Sequence, residues 1–346
     1  MEPGGYRRFA RGWLIAVAMG AIIFIVGCSS GGARMRLGAY FGSPAGMPFP
    51  SPDKLGTHRS DSGVGETNGM VYTCKGGFID IGHVREGADR TAYIAEVARE
   101  NLTKGKKRFS FRVIEPSRYW VKVTYPDTWN ALSQPEREKA LKEVPILMGQ
   151  YLAHRSMVWH EIMTWYGFAI TGLFPETISS FSCEDPYSDV LGTYLGVQAL
   201  RDNGHSFNEA MTRLINETLK ELDVQPARVA RRARDKVRGK WYTGGFYFFV
   251  TMKKHNFDAG LDDGFISPVL VSGMCPNAKP RPWPAPSMAS LSKYGFKMDV
   301  KIEPLIWQKG KIWNSIGLAK NVRRVDPEVH FPAMLDAIKR SSRKSR

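Results

Sequence analysis

Histidine followed by glutamate at positions 160 and 161, inside "VWHEIMTWYG", opens as a zinc-hydrolase helix opens. The imidazole binds the metal, and the neighbouring carboxylate takes a proton from the metal-bound water. Such a helix carries a second ligand one turn later, but the residue four places past His160 is Thr164, whose hydroxyl is a poor zinc ligand. Other donors must come from elsewhere in the chain. "EDPYSDVLG", residues 184–192, offers Asp185 and Asp189 on one helical face, with Glu184 a rival to Asp185 because only one of them can point inward from a helix start. His83, in "GGFIDIGHVREGADR", stands at the end of an apolar strand, a common place for site residues.

The ordered pair of motifs resembles that of thermolysin-like gluzincins, over about 35 residues. The resemblance implies Asp185 as a metal ligand in place of the usual glutamate, and Asp189 as the carboxylate that orients His160. With His83 as third donor, the expected site is His160, Asp185 and His83 around zinc, Glu161 as general base, and Asp189, Glu184 and Thr164 around them. Each residue also has a structural reading. Glu161 could pair with an arginine such as Arg155, Asp185 could cap a helix that begins with Pro186, Asp189 could be a first-turn acid favoured by the helix dipole, and His83 could be hydrogen-bonded in the core. Cys183 has nothing to orient it as a nucleophile, and His154 reads as a boundary histidine. "FDAGLDDGF" lacks EF-hand spacing and reads as a polar turn.

These residues need elements to hold them. "MVYTC" and "GFIDIGHV" read as strands, followed by a helix from about Thr91 to Leu102 with Asp89 as candidate cap. "KRFSFRVIEPSRYWVKVTYP" reads as a hairpin turning at Glu115-Pro116-Ser117. Ser133 caps a helix to about Val144, Pro145 marks a boundary or kink, and a second helix runs to about Gly167. Pro186 starts the next helix, and "SFNE" is a capping box for another. Pro226 starts a basic helix, and Asp326-Pro327 opens a short final one. Ser188, Gly192 and Gly196 form a small-residue stripe that would admit another helix closely. "WYTGGFYFFV" reads as a core strand pair. Helices segregated from strands predict an α+β fold, a helical core flanked by antiparallel strands and hairpins. The expected organisation is a signal peptide over 1–27, a lipidated tether and extended segment over 28–69, one globular domain over 70–340 and a basic tail over 341–346.

The N-terminus indicates the compartment. Arg7, Arg8 and Arg11 precede an uncharged, largely apolar run from Trp13 to Gly27 that ends at Cys28. The run is short for a spanning helix, and its end resembles the lipobox of bacterial lipoproteins, which implies lipidation of Cys28. Ser29 after Cys28 favours the outer membrane by resemblance to lipoprotein sorting, with the domain facing the periplasm. The remaining cysteines, Cys74, Cys183 and Cys275, permit one disulfide and one leftover thiol, and the pairing is open. The chain carries a net charge of +16, concentrated in "RVARRARDKVRGK" and in the C-terminal tail. For an exported protein that balance argues against nucleic acid and for anionic lipid or cell-wall polymer.

The chain also resembles a bacterial exported-protein family, domain of unknown function 4056. The segments that carry the resemblance are "GMPF", "NGMVYTCKGGFIDIGHVREGADRTAY", "WHEIMTWYG", "FSCEDPYSDVLGT", "ALRDNGHSFNEAMT", "WYTGGF" and "MKKHNFDAGLDDGFISP". The family lends no activity. The function expected is a periplasm-facing lipoprotein with a zincin-like hydrolase site acting on an envelope peptide or amide bond. The alternative is a non-catalytic lipoprotein that binds anionic lipid or wall polymer through its basic surface.

Overall fold

Asp80 decides where the first long helix begins. Its Oδ1 accepts hydrogen bonds from the backbone N–H groups of Gly82 (2.7 Å) and His83 (3.4 Å), so it caps the helix α1, Ile81–Thr103. The computed structural model describes residues 48–169, 179–244 and 251–344. Two short antiparallel strands precede the cap, β1 Met70–Thr73 and β2 Gly77–Asp80. "GFIDIGHV" is therefore strand only as far as Asp80, and His83 lies in the first turn of a helix, not at a strand end. The apolar residues of this stretch suit either period, and the cap settles it. Asp89, the cap expected for a helix starting at Thr91, is instead buried inside α1, where its Oδ1 meets His58 Nε2 at 3.0 Å. That contact, with the bond from the His58 N–H to Thr212 Oγ1 (2.9 Å), ties the segment before β1 to the helices.

The expected hairpin forms as β3 Arg108–Arg112 and β4 Ser117–Thr124. Next comes α2, Gln134–Trp165, opened by the Ser133–Glu136 capping box. Pro145 does not end it. Val144, Ile146 and Met148 around the proline are all buried, and that burial outweighs the hydrogen bond proline cannot make. Helix α3, Asp185–Arg201, has Pro186 in its first turn as expected. It is followed by α4 Phe207–Glu221 with the Ser206–Glu209 box, β5 Val224–Gln225 and the basic helix α5 Ala227–Val237.

Beyond α5 come two-residue strand pairs and then β6 Lys297–Pro304, which pairs antiparallel with β4 along its whole length. A short helix α6, Lys309–Ser315, and a final α7, Pro327–Lys344, complete the order. The final helix is longer than expected and takes in most of the basic tail. The sheets run β2-β1-β5 and β6-β4-β3, so the α+β class is confirmed. Cys74 pairs with Cys275, leaving Cys183 as a buried free thiol. Among the described residues no helix is long and apolar enough to cross a membrane. Residues 1–27, Cys28 and "GFYFFV" lie outside the described residues.

Helix α1 is the central element, clasped between α2 and α3 by glycines. A Cβ on Gly192 would stand 2.3 Å from the Val84 carbonyl oxygen, one on Gly196 2.9 Å from that of Ala88, and one on Gly149 2.5 Å from that of Thr91. The small-residue stripe of α3 thus meets α1, and α1 comes within bonding distance of its neighbours' polar groups. Gly192→Ala is expected to destabilise the fold by about 2 kcal/mol, because backbone on both sides must separate. A thermal midpoint equal to the parent's would show that the helices part without cost.

Candidate metal centre

Three elements deliver one donor each to a common point. His83 rises from the first turn of α1, and its Nδ1 lies 2.9 Å from Asp80 Oδ2, so the residue that caps the helix also fixes the ring. That bond holds the proton on Nδ1 and turns Nε2 toward Asp185 Oδ1, 3.8 Å away. Asp185 opens α3 and is held by the Ser182 N–H, which donates to its Oδ2 at 3.1 Å. Glu161 comes from the last turns of α2, and its Oε2 accepts from the Phe181 N–H. Phe181 has φ of 53°, a left-handed backbone that aims this N–H at the carboxylate. Ligand atoms of His83, Glu161 and Asp185 all lie within 4.8 Å of one another. Tetrahedral bonds of about 2.1 Å place ligand atoms roughly 3.5 Å apart, a contraction that side-chain rotation supplies.

The electrostatics are one-sided. Asp80, Glu161, Glu184, Asp185 and Asp189 are all buried, and His83 is the cation that acts on Asp80, Asp185 and Asp189 and, after His160, on Glu161. Among the described residues, Asp185 Oδ1 and Asp189 Oδ1 are buried without a hydrogen-bond partner. Burial and then the charge of Asp185 push Glu161 up to about 7. Burial raises Asp185 against the opposing pull of His83, and it raises Asp189 well above the carboxylate range. Burial alone would lower His83, but Asp185 and Asp80 outweigh it and hold the ring well above its usual value. Carboxylates that draw protons this strongly would draw a cation in their place.

His160, expected as a ligand, is directed elsewhere. Neighbouring residues on a helix project about 100° apart, so once Glu161 faces the trio His160 cannot. Its Nδ1 stands 3.1 Å from Glu115 Oε1, at the turn between β3 and β4. Burial would lower this imidazole, but the Glu115 hydrogen bond and charge lift it to about 9. Glu115 in turn meets Arg90, which also grips Glu86 and Ser156. Glu161, expected as base, is grouped with His83 and Asp185 as one of three residues that could hold a metal. Asp189, expected to orient His160, belongs to the electrostatic surroundings of His83, and Asp80 performs the orienting on His83. Glu184 is buried beside Asp185 outside the trio. Thr164 Oγ1 donates to the Glu161 carbonyl at 3.0 Å and serves its own helix.

The remaining candidates settle into structural roles. Arg155 binds Glu328 at 2.9 Å, not Glu161. His154 Nδ1 faces the Arg155 guanidinium at 3.0 Å, and burial holds the ring well below its usual value. Burial raises the Cys183 thiol, which contacts the Lys254 carbonyl. Asp258 closes a polar turn by accepting from the Gly260 and Ser267 N–H groups. Sequence reasoning missed Asp80, Arg90 and Glu115. Asp80, three residues before His83 at a strand end, has the spacing of a cap, and Glu86 with Arg90 has i,i+4 spacing; Glu115 in its turn carries no such signal.

No curated protein and no solved structure matches the chain. A family match covers residues 52–245, taking in every residue of the trio and of the Glu86–Arg90–Glu115–His160 chain and stopping short of "MKKHNFDAGLDDGFISP". With more than half its length matched, the chain belongs to the family described as "Protein of unknown function (DUF4056)".

Proposed function

We propose that this protein is an exported lipoprotein of the outer membrane that faces the periplasm and hydrolyses an envelope amide or peptide bond at a divalent-metal site built by His83, Glu161 and Asp185. The observation that carries the reading is the convergence of these three donors from α1, α2 and α3, with ligand atoms within 4.8 Å of one another. One imidazole and two carboxylates suit zinc, and three protein ligands leave a position for water. The bound ion would acidify that water and polarise the scissile carbonyl. Asp80 keeps His83 in the tautomer whose Nε2 is free, and the Phe181 and Ser182 N–H groups hold the two carboxylates in place. Asp189, whose Oδ1 is buried with no hydrogen-bond partner among the described residues, adds a further carboxylate to the surroundings of His83. The location rests on the lipobox-like run before Cys28.

Elemental analysis of the purified protein is expected to find close to one zinc per chain, and chelator should lower the thermal midpoint, because a ligand that binds only the folded state stabilises it. Protein free of metal that melts identically with and without chelator would sink the reading. A second, non-catalytic reading is supported by α5, where Arg228, Arg231, Arg232 and Lys236 are exposed while Ala230, Ala233 and Val237 are buried. In that reading the lipoprotein binds anionic lipid or wall polymer, and the acidic cluster is a protonated core.

A further inference from the structure

A separate surface joins apolar exposure to uniform charge. Trp307 is 99% exposed and Leu305 is 51% exposed, on the turn between β6 and α6. Single exposed apolar side chains are ordinary, but an indole in full contact with water beside a second apolar residue is not. From Leu305 to Val325 the chain carries Lys309, Lys311, Lys320, Arg323 and Arg324 and no carboxylate. Lys311, Lys320, Arg323 and Arg324 are exposed. Of the acids that flank this stretch, Glu303 is paired with Arg323 at 3.0 Å and Arg324 at 3.2 Å, and Asp326 with Lys301 at 2.7 Å.

The turn is firmly based. The Leu305 N–H donates to the Pro116 carbonyl at 2.8 Å, and Gln308 Nε2 donates to that of Gly167 at 2.9 Å. Ile312 and Trp313 are buried beneath it, and Trp313 Nε1 ties α6 to the Val322 carbonyl at 2.9 Å. The fold therefore presents Trp307 outward from a fixed platform, and the ion pairs with Glu303 fix Arg323 and Arg324 at the end of the strand that leads into that turn.

We propose that residues 305–324 form a membrane-contact surface, with Trp307 and Leu305 entering the interfacial layer of an anionic bilayer and the surrounding lysines and Arg323 lying on its headgroups. Indole prefers the interfacial layer, where its ring is apolar and its N–H stays wet. Each basic side chain near such a surface strengthens association about fivefold. Leu305 selects a bilayer over a wall glycan, since an aliphatic side chain gains by leaving water and cannot stack on a sugar as an indole can. The proposal is independent of the metal site. Beside an acyl anchor, such a contact would fix which face of the domain meets the membrane.

The test uses the full chain with vesicles of phosphatidylcholine and phosphatidylglycerol carrying brominated acyl chains, which quench tryptophan only on contact. Other tryptophans are constant between variants, so the difference between parent and Trp307→Ala reads this residue alone. The quenched component is expected on anionic vesicles, to be lost in Trp307→Ala at an unchanged thermal midpoint, and to be weak on phosphatidylcholine alone. Lys311→Glu with Lys320→Glu should shift the docked-to-undocked ratio by about 25-fold or more, and high salt should act in the same direction. Equal quenching in parent and Trp307→Ala would overturn the proposal. So would equal quenching without phosphatidylglycerol, or Trp307-dependent binding to isolated wall material without lipid quenching.

Discussion

Replacing Arg90 with methionine is expected to lower unfolding stability by about 3–5 kcal/mol in urea titrations. The guanidinium is 2% exposed and serves three partners at once: Glu86 through Nε and Nη2, Glu115 through Nη2, and Ser156 Oγ through Nη1 at 3.2 Å. Burial would discourage its charge, yet Glu115 and Glu86 outweigh that and hold the proton more firmly than usual. Methionine fills similar space and leaves both carboxylates buried, with His160 the remaining cation on Glu115. Uncompensated buried charge, not lost packing, is the source of the expected effect. Adding Glu86→Leu and Glu115→Leu to Arg90→Met should therefore recover much of the loss, since replacing a whole buried ionic set with apolar residues is often nearly neutral. A single variant within about 1 kcal/mol of the parent would mean that water already reaches these groups. Acid should weaken the same chain. Burial would raise Glu115, but Arg90 and His160 bring it down to about 2, so its contribution is present above its ordinary 4.5 and fades as pH falls from there toward 2.

The Ser133 cap and the Ser206 capping box, the proline starts at Pro186 and Pro226 and the Glu115–Ser117 turn could be read directly, because each is a local backbone device that needs no partner far along the chain. The start of α1 was misplaced because Asp80 and Asp89 are both legitimate caps by type, and only the pairing of β2 with β1 decides between them. Pro145 reads as a boundary or kink because local rules register its missing hydrogen bond and cannot see the core on both sides. In the site, residue types were legible and directions were not. His83, Glu161 and Asp185 all stood among the candidates, but which member of the His160–Glu161 pair faces α1 depends on the rotation of α2. That rotation is set by contacts such as Gly149 against Thr91 and Ala95, which join residues more than 50 positions apart.

That rotation makes the most discriminating prediction a division among substitutions of the candidate metal site. If the donors are His83, Glu161 and Asp185, then His83→Ala and Asp185→Ala should each weaken zinc binding by more than about 100-fold, the upper range for losing an outer-shell partner. Asp80→Ala, which frees the ring of His83 without removing a donor, should weaken it by about 10- to 100-fold. His160→Ala should leave zinc stoichiometry unchanged while lowering stability through Glu115. The gluzincin-like arrangement demands the reverse for His160, with zinc lost alongside it. Glu161→Gln separates the two roles that a carboxylate at this position could play. As general base, Glu161 would be lost without loss of metal, leaving a loaded and inactive protein. As ligand, its neutral replacement would release zinc, and activity would fall with occupancy. The Phe181 N–H on Oε2 and the approach of Asp185 place this carboxylate with the donors, so loss of metal is the expected outcome.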